Sequence, residues 1–380
     1  MKIVADQNIP FVEKCFSSIG DVTLSPGRAI TPELVKDADI LLVRSITKVD
    51  EALLKGSSVK FVATATIGFE HIDQNYLSQK SIGFASAPGS NANSVAEYIV
   101  AALLALGKKH KFKLRNKSIG IVGVGNVGSK VAAKCSALEM KVMLNDPPLM
   151  RKTHDPKYLP LEELFQCDFI TMHTPLTFVG PDKTHHLADS DFFSKLRPET
   201  FFLNTSRGGV VQTQALKDAL KSKQIAGAVL DVWENEPNID NELLLSVDLS
   251  TPHIAGYSYD GKVAGMIMIY NAACKHFGFT PENTINDFLP APDVDVIKID
   301  PDSSDRQTII HDTVQRIYVI NRDDFNTREI LIIPEDQRGQ WFDDLRKNYP
   351  VRREFQNTRI ELKTPDDILE SRLKGIGFNT

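Results

Sequence analysis

A histidine, two glutamates and an arginine each follow a short apolar run in the second half of the sequence. His253 stands in "STPHIAGYS", Glu234 and Glu236 stand in "DVWENEP", and Arg207 directly follows "TFFLNTS". An imidazole takes the proton of a hydroxyl group near neutral pH, and a carboxylate beside it orients the ring and raises its basicity. A guanidinium holds a carboxylate through two hydrogen bonds and polarises a neighbouring carbonyl. Taken singly, such an arginine is more often a surface ion pair and such a histidine is more often structural. Their shared position after apolar runs favours proton transfer on a small anion.

A glycine-rich loop lies upstream of these residues, between an apolar run and a helix-like segment. The residues expected to contact a dinucleotide are Gly123, Gly125, Asn126, Val127 and Gly128. In this context the G-x-G-x-x-G spacing permits a tight turn, a close approach of the backbone to a pyrophosphate, and binding at a helix N-terminus. Asp146 ends the next apolar run, about twenty residues on, where a carboxylate accepts the ribose hydroxyls and repels a 2′-phosphate. The pattern therefore predicts NAD rather than NADP.

No metal site and no disulfide framework is predicted. The four cysteines are scattered, which is typical of reduced thiols in a cytosolic protein. They are Cys15, Cys135, Cys167 and Cys274. Three histidines, His173, His185 and His186, are close in sequence, but no further ligand clusters with them.

The elements that would position these residues alternate between strands and helices. Residues 1–90 already contain such an alternation, in "KIVA", "ADILLVRS", "VKFVATAT" and "IGFASA" with helix-like segments between them. The alternation resumes at residue 118, after a long apolar helix in which Ser94 and Glu97 have the spacing of a capping box. Repeated strand–helix units predict parallel α/β sheets. A complete α/β unit therefore precedes the glycine loop.

The C-terminal part of the sequence differs from the rest in composition and pattern. The stretch "FGFTPENTINDFLPAPDVDVIKIDPDSSD" is rich in proline and aspartate and is interpreted as a linker. Beyond it we predict a helix in "TIIHDTVQRIY", a strand in "REILII" and a helix around Trp341, Phe342 and Leu345. This part carries none of the site motifs, which favours a small α+β appendage used for assembly.

Bulk properties exclude several classes of protein. The 380 residues suggest two or three domains, and the net charge of −5 argues against general binding of polyanions. The basic segment "KKHKFKLRNK" is interpreted as a solvated connection, with a nucleic-acid patch as the less favoured alternative. The longest apolar runs fall short of the roughly 20 residues that a membrane span needs. The start shows no signal-peptide pattern, so we expect a cytoplasmic protein. From the net charge and the short apolar runs, we expect no nucleic-acid and no membrane partners.

Five motifs occur in the order found in one family. With "VGVGNVG", "MHTPLT", "NTSRGG", "LDVWENEP" and "TPHIAG", the sequence resembles the D-isomer-specific 2-hydroxyacid dehydrogenases over about residues 1–285. The resemblance implies a Rossmann dinucleotide-binding domain (residues 94–257) inserted in a flavodoxin-like α/β substrate domain (1–93 and 258–284). A small C-terminal α+β dimerisation domain would occupy residues 285–380. The glycine loop comes late in the sequence because a large part of the substrate domain precedes it in the chain.

The resemblance also implies roles for individual residues. The family's catalytic arginine, glutamate and histidine fall on Arg207, Glu236 and His253, with Glu236 chosen over Glu234 because it directly precedes proline. Asp146 falls on the ribose-binding acid, Thr174 lies beside the cofactor, and Asp231 falls where the family contacts the nicotinamide carboxamide.

Within the family, the likeness is strongest to bacterial enzymes that oxidise 4-phospho-D-erythronate with NAD on the way to pyridoxal phosphate. It rests on "VRSITKV", "APGSNANSVAEYI", "HTPLTFVGPDKTHHL" and "TPHIAGYSYDGK". It implies a homodimer formed through the C-terminal domain. It also implies substrate contacts at Ser45, Thr66 and Tyr257 and a cofactor contact at Gly256, and Arg44 is a candidate for the phosphate. One departure is "TIGFEHID", where Phe69–Glu70 replaces the more usual Thr-Asp.

Two other functions are compatible with the same motifs. One is a different hydroxyacid dehydrogenase, such as one acting on 3-phosphoglycerate. The other is a dinucleotide-sensing corepressor, which belongs to another class of protein. The intact set of Arg207, Glu236 and His253 favours catalysis over sensing.

Overall fold

The chain forms two compact units, and a computed structural model describes all 380 residues. One unit comprises residues 1–91 and 258–291, and the other comprises residues 92–257 and 292–380. The chain leaves the first unit after Asn91 and returns to it at Ser258.

The first unit is built on a five-stranded parallel sheet. Its strands are β1 (Lys2–Asp6), β2 (Asp21–Ser25), β3 (Ile40–Val43), β4 (Phe61–Thr64) and β5 (Gly83–Ala85). Its first helices are α1 (Val12–Phe16), α2 (Pro32–Val35), α3 (Glu51–Leu54) and α4 (Gln74–Gln79). The strand order β2-β1-β3-β4-β5 is that of flavodoxin-like folds. Every residue of β3 and β4 is buried, which explains why "ILLV" and "FVAT" are continuous apolar or small runs.

The second unit carries a six-stranded parallel sheet in the order β11-β10-β9-β8-β6-β7. Its strands are β6 (Ser118–Val122), β7 (Lys141–Asn145), β8 (Phe169–Met172), β9 (Phe201–Asn204), β10 (Gly227–Leu230) and β11 (Leu249–Ser250). Its helices up to β11 are α5 (Ala92–Lys109), α6 (Asn126–Ala137), α7 (Pro147–Thr153), α8 (Leu161–Leu164), α9 (Ser190–Ser194), α10 (Thr213–Lys221) and α11 (Asn241–Ser246). The strand order changes direction between β6 and β8, and ligands of doubly wound sheets bind at such a point. The predicted α/β class with parallel, Rossmann-like sheets is confirmed.

Helix α12 (Tyr259–Phe277) belongs to the first unit and covers its sheet. Its buried residues, which include Val263, Met266 and Tyr270, join the cluster that contains Ile3 of β1 and Phe16 of α1. A late segment of the chain thus completes the core that the first ninety residues begin.

The C-terminal segment, residues 292–380, packs on the second unit. Its elements are β12 (Val296–Ile299), α13 (Arg306–Ile317), α14 (Ile320–Arg328), α15 (Arg338–Lys347), β13 (Arg359–Leu362) and α16 (Asp367–Ile376). Strands β12 and β13 pair in parallel, α13 and α14 pack on α5, and α16 packs on α6. Tyr318, Phe355 and Leu373 are fully buried in the same cluster as Tyr98 of α5. The three-domain division with a separate C-terminal domain stays a prediction.

Two predictions for the C-terminal segment are wrong. The "REILII" run is the end of α14 followed by a 3-10 helix, Glu329–Ile332, because a short apolar run is consistent with a helical turn as well as with a strand. The presumed linker contains β12, where Ile297 and Ile299 point inward and Lys298 points outward. The aspartates and prolines on either side of this strand favoured a linker, so its alternation of buried and exposed residues was not recognised in the sequence. The helices predicted in "TIIHDTVQRIY" and around Phe342 are confirmed as α13 and α15.

The predicted capping box at Ser94 and Glu97 is also wrong. Helix α5 begins two residues earlier, at Ala92, and both side chains are fully buried. Ser94 Oγ donates to the carbonyl of Ala255 at 2.9 Å, and Glu97 Oε1 accepts from the backbone N–H of Phe355 at 2.9 Å. Tertiary partners, rather than the end of the helix, satisfy these polar groups.

The basic segment after α5 is matched by acidic side chains. Lys109 and His110 both contact Asp248, at 2.7 and 2.8 Å, and Lys117 lies 3.0 Å from Asp168. This pairing agrees with the interpretation as a solvated connection. None of the helices combines the length and the apolar character that a membrane span requires.

Candidate active site

The candidate residues of the second unit lie beyond the carboxyl ends of its parallel strands. The glycine loop follows β6, Asp146 follows β7, Thr174 lies just after β8, Arg207 follows β9, Asp231 follows β10, and His253 follows β11. Because parallel strands end at the same edge, residues from distant parts of the sequence meet there.

The glycine loop has the shape that a pyrophosphate requires. Gly123 has φ +87°, a conformation that favours glycine, and a Cβ on Gly128 would collide with the carbonyl oxygen of Gly123. A Cβ on Gly125 would meet nothing within 4 Å. Helix α6 begins directly afterwards without a side-chain cap, so its first N–H groups can receive an anion.

Asp146 and Thr174 flank this loop. One carboxylate oxygen of Asp146 accepts from the N–H of Val124 at 2.8 Å, and the other accepts from the N–H of Leu149 at 2.9 Å, where it caps α7. The Thr174 hydroxyl is buried and has no hydrogen-bond partner, which is unusual for a buried polar atom. The open side of the loop and this orphaned hydroxyl fit a bound dinucleotide. The residues that would hold NAD are thus the loop, Asp146 and Thr174, and their individual roles stay predictions.

His253 and Glu236 form a hydrogen-bonded pair, with 2.7 Å between Nδ1 and Oε2. The other oxygen of Glu236 accepts from the N–H of Trp233 at 2.8 Å. Burial opposes ionisation of Glu236, but the neighbouring His253 and these hydrogen bonds hold the pKa of its carboxyl below its ordinary value. The ionised carboxylate makes Nδ1 the protonated ring nitrogen. Nε2 of His253 is therefore left as a proton acceptor.

Asp231 organises the segment that carries His253. Its buried carboxylate accepts from the N–H groups of Ile254 at 2.7 Å and Ala255 at 3.1 Å, and from the hydroxyl of Thr251 at 2.7 Å. The N–H of His253 donates to the Asp231 carbonyl at 2.7 Å, and His253 has φ 59°. Burial raises the pKa of Asp231. A contact of Asp231 with the nicotinamide stays a prediction.

Arg207 lies in a loop that is tied to the Glu236 loop. Buried Asn204 accepts from the N–H of Ser206 at 3.0 Å and donates to the carbonyl of Arg207 at 3.0 Å, which fixes the turn after β9. At the next position, a Cβ on Gly208 would collide with the carbonyl oxygen of Trp233, so the two loops touch through their backbones. Sequence reasoning missed Asn204, although an asparagine before a turn is a recognisable signal.

The remaining histidines and the second glutamate have other partners. Glu234 pairs with His186 at 2.7 Å, so Glu236 is the glutamate bonded to His253. The His173 ring lies between the hydroxyls of Thr171 and Thr205, at 3.0 and 3.2 Å, and burial lowers its pKa to about 3. No group of three or more histidine, cysteine or acidic side chains is arranged to hold a metal.

The predicted substrate contacts are distributed between the two units. Arg44 and exposed Ser45 follow β3 of the first unit. Thr66 follows β4, and its hydroxyl bonds to Thr64 at 2.7 Å and to the carbonyl of Gly68 at 2.9 Å. Tyr257, in the second unit, follows His253, and its N–H donates to the Ile254 carbonyl at 2.8 Å. Gly256 precedes Tyr257 and is partly exposed. Their contacts with a substrate or cofactor stay predictions.

Two family models match parts of the sequence. Residues 100–255 match the model described as "D-isomer specific 2-hydroxyacid dehydrogenase, NAD binding domain". Residues 288–377 match a model described as "Domain of unknown function (DUF3410)". The first match covers the glycine loop and the residues that follow β7 to β11.

Curated relatives match over all or nearly all of the chain. An erythronate-4-phosphate dehydrogenase of Hahella chejuensis is 41% identical over 383 residues, which cover 100% of this chain and 99% of the relative. An erythronate-4-phosphate dehydrogenase of Tolumonas auensis is 42% identical over 371 residues, covering 97% of each.

A solved structure supports the fold. The NAD-dependent formate dehydrogenase of Staphylococcus aureus, in complex with NAD, is 24% identical with a TM-score of 0.60, covering 75% of this chain and 98% of that one. The glycine loop, the family match and the relatives agree on an NAD-dependent oxidoreductase. The chain belongs to the erythronate-4-phosphate dehydrogenase family, within the D-isomer-specific 2-hydroxyacid dehydrogenases.

Proposed function

We propose that this enzyme oxidises 4-phospho-D-erythronate to (R)-3-hydroxy-2-oxo-4-phosphooxybutanoate with NAD, in the synthesis of pyridoxal 5′-phosphate. The observation that carries this proposal is the His253–Glu236 pair at 2.7 Å, held beside the Arg207 loop by the close approach of Gly208 to Trp233. Relatives of 41 and 42% identity over nearly their full lengths support the substrate.

Arg207 binds the substrate carboxylate in this proposal. Its planar guanidinium can form two hydrogen bonds to the carboxylate and polarise the C2–O bond next to it. The 2-hydroxyl is then placed against Nε2 of His253. Asn204 and Gly208 hold Arg207 in position through the turn that follows β9.

His253 acts as the general base. Nε2 takes the hydroxyl proton while the C2–H bond breaks and the C2–O bond becomes a carbonyl. Glu236 receives the Nδ1 hydrogen bond and stabilises the imidazolium that forms. NAD, when bound, supplies the acceptor for the hydride that leaves C2. The products are the 2-oxo acid, NADH and a proton that His253 later releases to water.

Discrimination between substrates must come from other residues, because Arg207 and His253 recognise only the 2-hydroxy acid. Arg44, Ser45, Thr66 and Tyr257 offer one positive charge and three hydroxyls. This inventory suits a hydroxylated, phosphorylated chain better than an apolar side chain. A site built to hydrogen-bond a hydroxyl rejects an analogue without it by as much as about 10⁴-fold, since its own polar groups are left unpaired.

A substrate panel tests the proposal. The purified full chain is assayed with NAD and 4-phospho-D-erythronate, 3-phospho-D-glycerate or D-lactate, with 2-oxo acids added in parallel to reoxidise NADH. We expect the highest kcat/KM on 4-phospho-D-erythronate, a smaller value on the shorter phosphorylated acid, and the smallest on D-lactate. Comparable kcat/KM on all three would reject the assignment while leaving a general hydroxyacid dehydrogenase. Absence of turnover on all of them, with NAD still bound, would favour the dinucleotide-sensing alternative.

We also propose that the enzyme works in the cytoplasm as a homodimer formed through its C-terminal segment. Four buried free cysteines support a reducing compartment. Exposed apolar side chains of the C-terminal segment support a protein contact there; Phe325 is 65% and Ile332 is 81% exposed.

A further inference from the structure

Helix α15 presses one face against the loop that carries Glu236. A Cβ on Gly339 would lie 2.9 Å from the side-chain oxygen of Asn238 and 3.4 Å from Pro237. Three residues later, Phe342 is fully buried in the same cluster as Trp233. The helix thus packs against the turn on either side of Glu236.

The same face continues to Arg346 and to Tyr349 just beyond the helix. Arg346 donates a hydrogen bond to the hydroxyl of Tyr257, and the Tyr349 ring meets the Tyr257 ring edge-on, with 6.0 Å between centroids. Positions 339, 342, 346 and 349 have the spacing of one helical face. The C-terminal segment, whose family model has no assigned function, therefore contributes a cation beside the candidate active site.

Arg346 retains one donor that its protein contacts do not use. Its Nε is buried and has no hydrogen-bond partner, and its nearest acid, Asp343, lies 3.6 Å away, beyond a good hydrogen bond. Burial opposes the charge, but Tyr257 and Glu236 raise the pKa of Arg346, so the guanidinium stays protonated. A partly buried cation with an orphaned N–H is suited to an anionic ligand.

Proton transfer alone does not account for a cation at this position. Glu236 stabilises the imidazolium that forms on His253, and a positive charge beside Glu236 works against that stabilisation. The substrate of the proposed reaction carries two anionic groups, a carboxylate and a phosphate. Arg207 matches the carboxylate. For the phosphate, the sequence offered Arg44 of the first unit, and the structure adds Arg346 as a second cation, placed beside Tyr257.

We propose that Arg346 is a specificity-determining residue of this active site, whose guanidinium binds the phosphate end of the substrate beside Tyr257. This inference rests on the proposed function, because it assigns the phosphate of that substrate. It also gives the C-terminal segment a role in its own chain's reaction, in addition to assembly.

The test compares a phosphorylated substrate with its dephosphorylated counterpart. Arg346→Gln, Arg346→Lys and the parent are assayed at saturating NAD with 4-phospho-D-erythronate and with D-erythronate. We expect Arg346→Gln to lower kcat/KM on the phosphorylated acid by roughly 10- to 100-fold, mostly through KM, the worth of a hydrogen bond to a charged group. The value on D-erythronate should change much less, because that substrate has no phosphate to lose a contact. The lysine variant should be intermediate, since it keeps the charge without the planar fork.

Lys347→Gln is the matched control, because it removes an exposed positive charge from the next position of the same helix. It should behave as the parent on both substrates. An equal loss on both substrates in Arg346→Gln would show that Arg346 only orients Tyr257 and would overturn the proposal. No loss on either substrate would overturn it as well.

A binding measurement separates this inference from the proposed function. Inorganic phosphate, added to the NAD-saturated protein, should raise the melting temperature of the parent and of Lys347→Gln but not of Arg346→Gln. NAD titration checks that each variant is folded. If Arg346→Gln is not folded, Arg346→Lys is compared with the parent instead. If the parent does not oxidise 4-phospho-D-erythronate, the proposed function fails, and the phosphate shift still decides the role of Arg346. An equal shift in the parent and in Arg346→Gln would reject that role.

Discussion

The bond between Nδ1 of His253 and Glu236 determines which ring nitrogen is available to a substrate. His253→Ala removes the base, so we expect kcat to fall by about 10²- to 10⁴-fold, the usual contribution of a positioned acid–base group. The rate is followed through NADH absorbance at saturating NAD. His186→Ala breaks the neighbouring His186–Glu234 pair and is the matched control, with kcat near the parental value. Near-parental turnover in His253→Ala would remove His253 from the mechanism.

Another histidine makes stability depend on pH. His173 is neutral in the folded protein, where its pKa is lowered from 6.5 to about 3 by burial. Between pH 6.5 and about 3, His173 binds a proton in the unfolded chain but not in the folded chain, so acid favours unfolding. Above pH 6.5 both states are neutral and His173 adds no pH dependence. Relative to His173→Gln, the parent should lose at most about 1.4 kcal/mol of unfolding free energy for each pH unit of acidification. Urea unfolding of both proteins across this range measures the difference, and parallel profiles would contradict it.

Two glycines near the turn between β6 and α6 serve different purposes: one is needed for folding and the other for cofactor binding. A Cβ on Gly125 has open space, whereas a Cβ on Gly128 would collide with the Gly123 carbonyl. Gly125→Ala should therefore keep the parental melting temperature but bind NAD more weakly, because the methyl group occupies the approach to the pyrophosphate. Gly128→Ala should lower the melting temperature itself. Thermal unfolding without NAD and a fluorescence titration with NAD give the two readouts. Unchanged NAD affinity in Gly125→Ala would place the pyrophosphate elsewhere.

Assembly concerns the molecule as a whole. Removing residues 292–380 would strip Tyr318, Phe355 and Leu373 from the core that they share with α5, so a truncated chain is a poor test of dimer formation. Phe325 and Ile332 are exposed and lie outside that core. We expect Phe325→Asp with Ile332→Asp to convert a dimer into a monomer that still binds NAD. Sedimentation equilibrium measures the mass, and an unchanged dimer would place the interface on another surface.

The sequence by itself determined the features that depend on neighbours along the chain. Strands such as "FVAT" and "FITM" are apolar or small throughout because both faces of a parallel sheet are covered. The spacing of Gly123, Gly125 and Gly128 specifies a turn between a strand and a helix, and the structure confirms that turn. The same local logic placed Arg207 and His253 at the ends of strands.

Only the tertiary structure decided how these local features combine. Glu234 and Glu236 are two positions apart, and folding gives them different histidines as partners. The polar groups of Ser94 and Glu97 matched a helix cap in sequence, yet they bond to Ala255 and Phe355. Arg346 belongs to no motif, and it reaches Tyr257 because α15 packs on the Glu236 loop. Hydrogen bonds and packing between residues far apart in sequence leave no local periodicity, so these arrangements emerge only when the chain is folded.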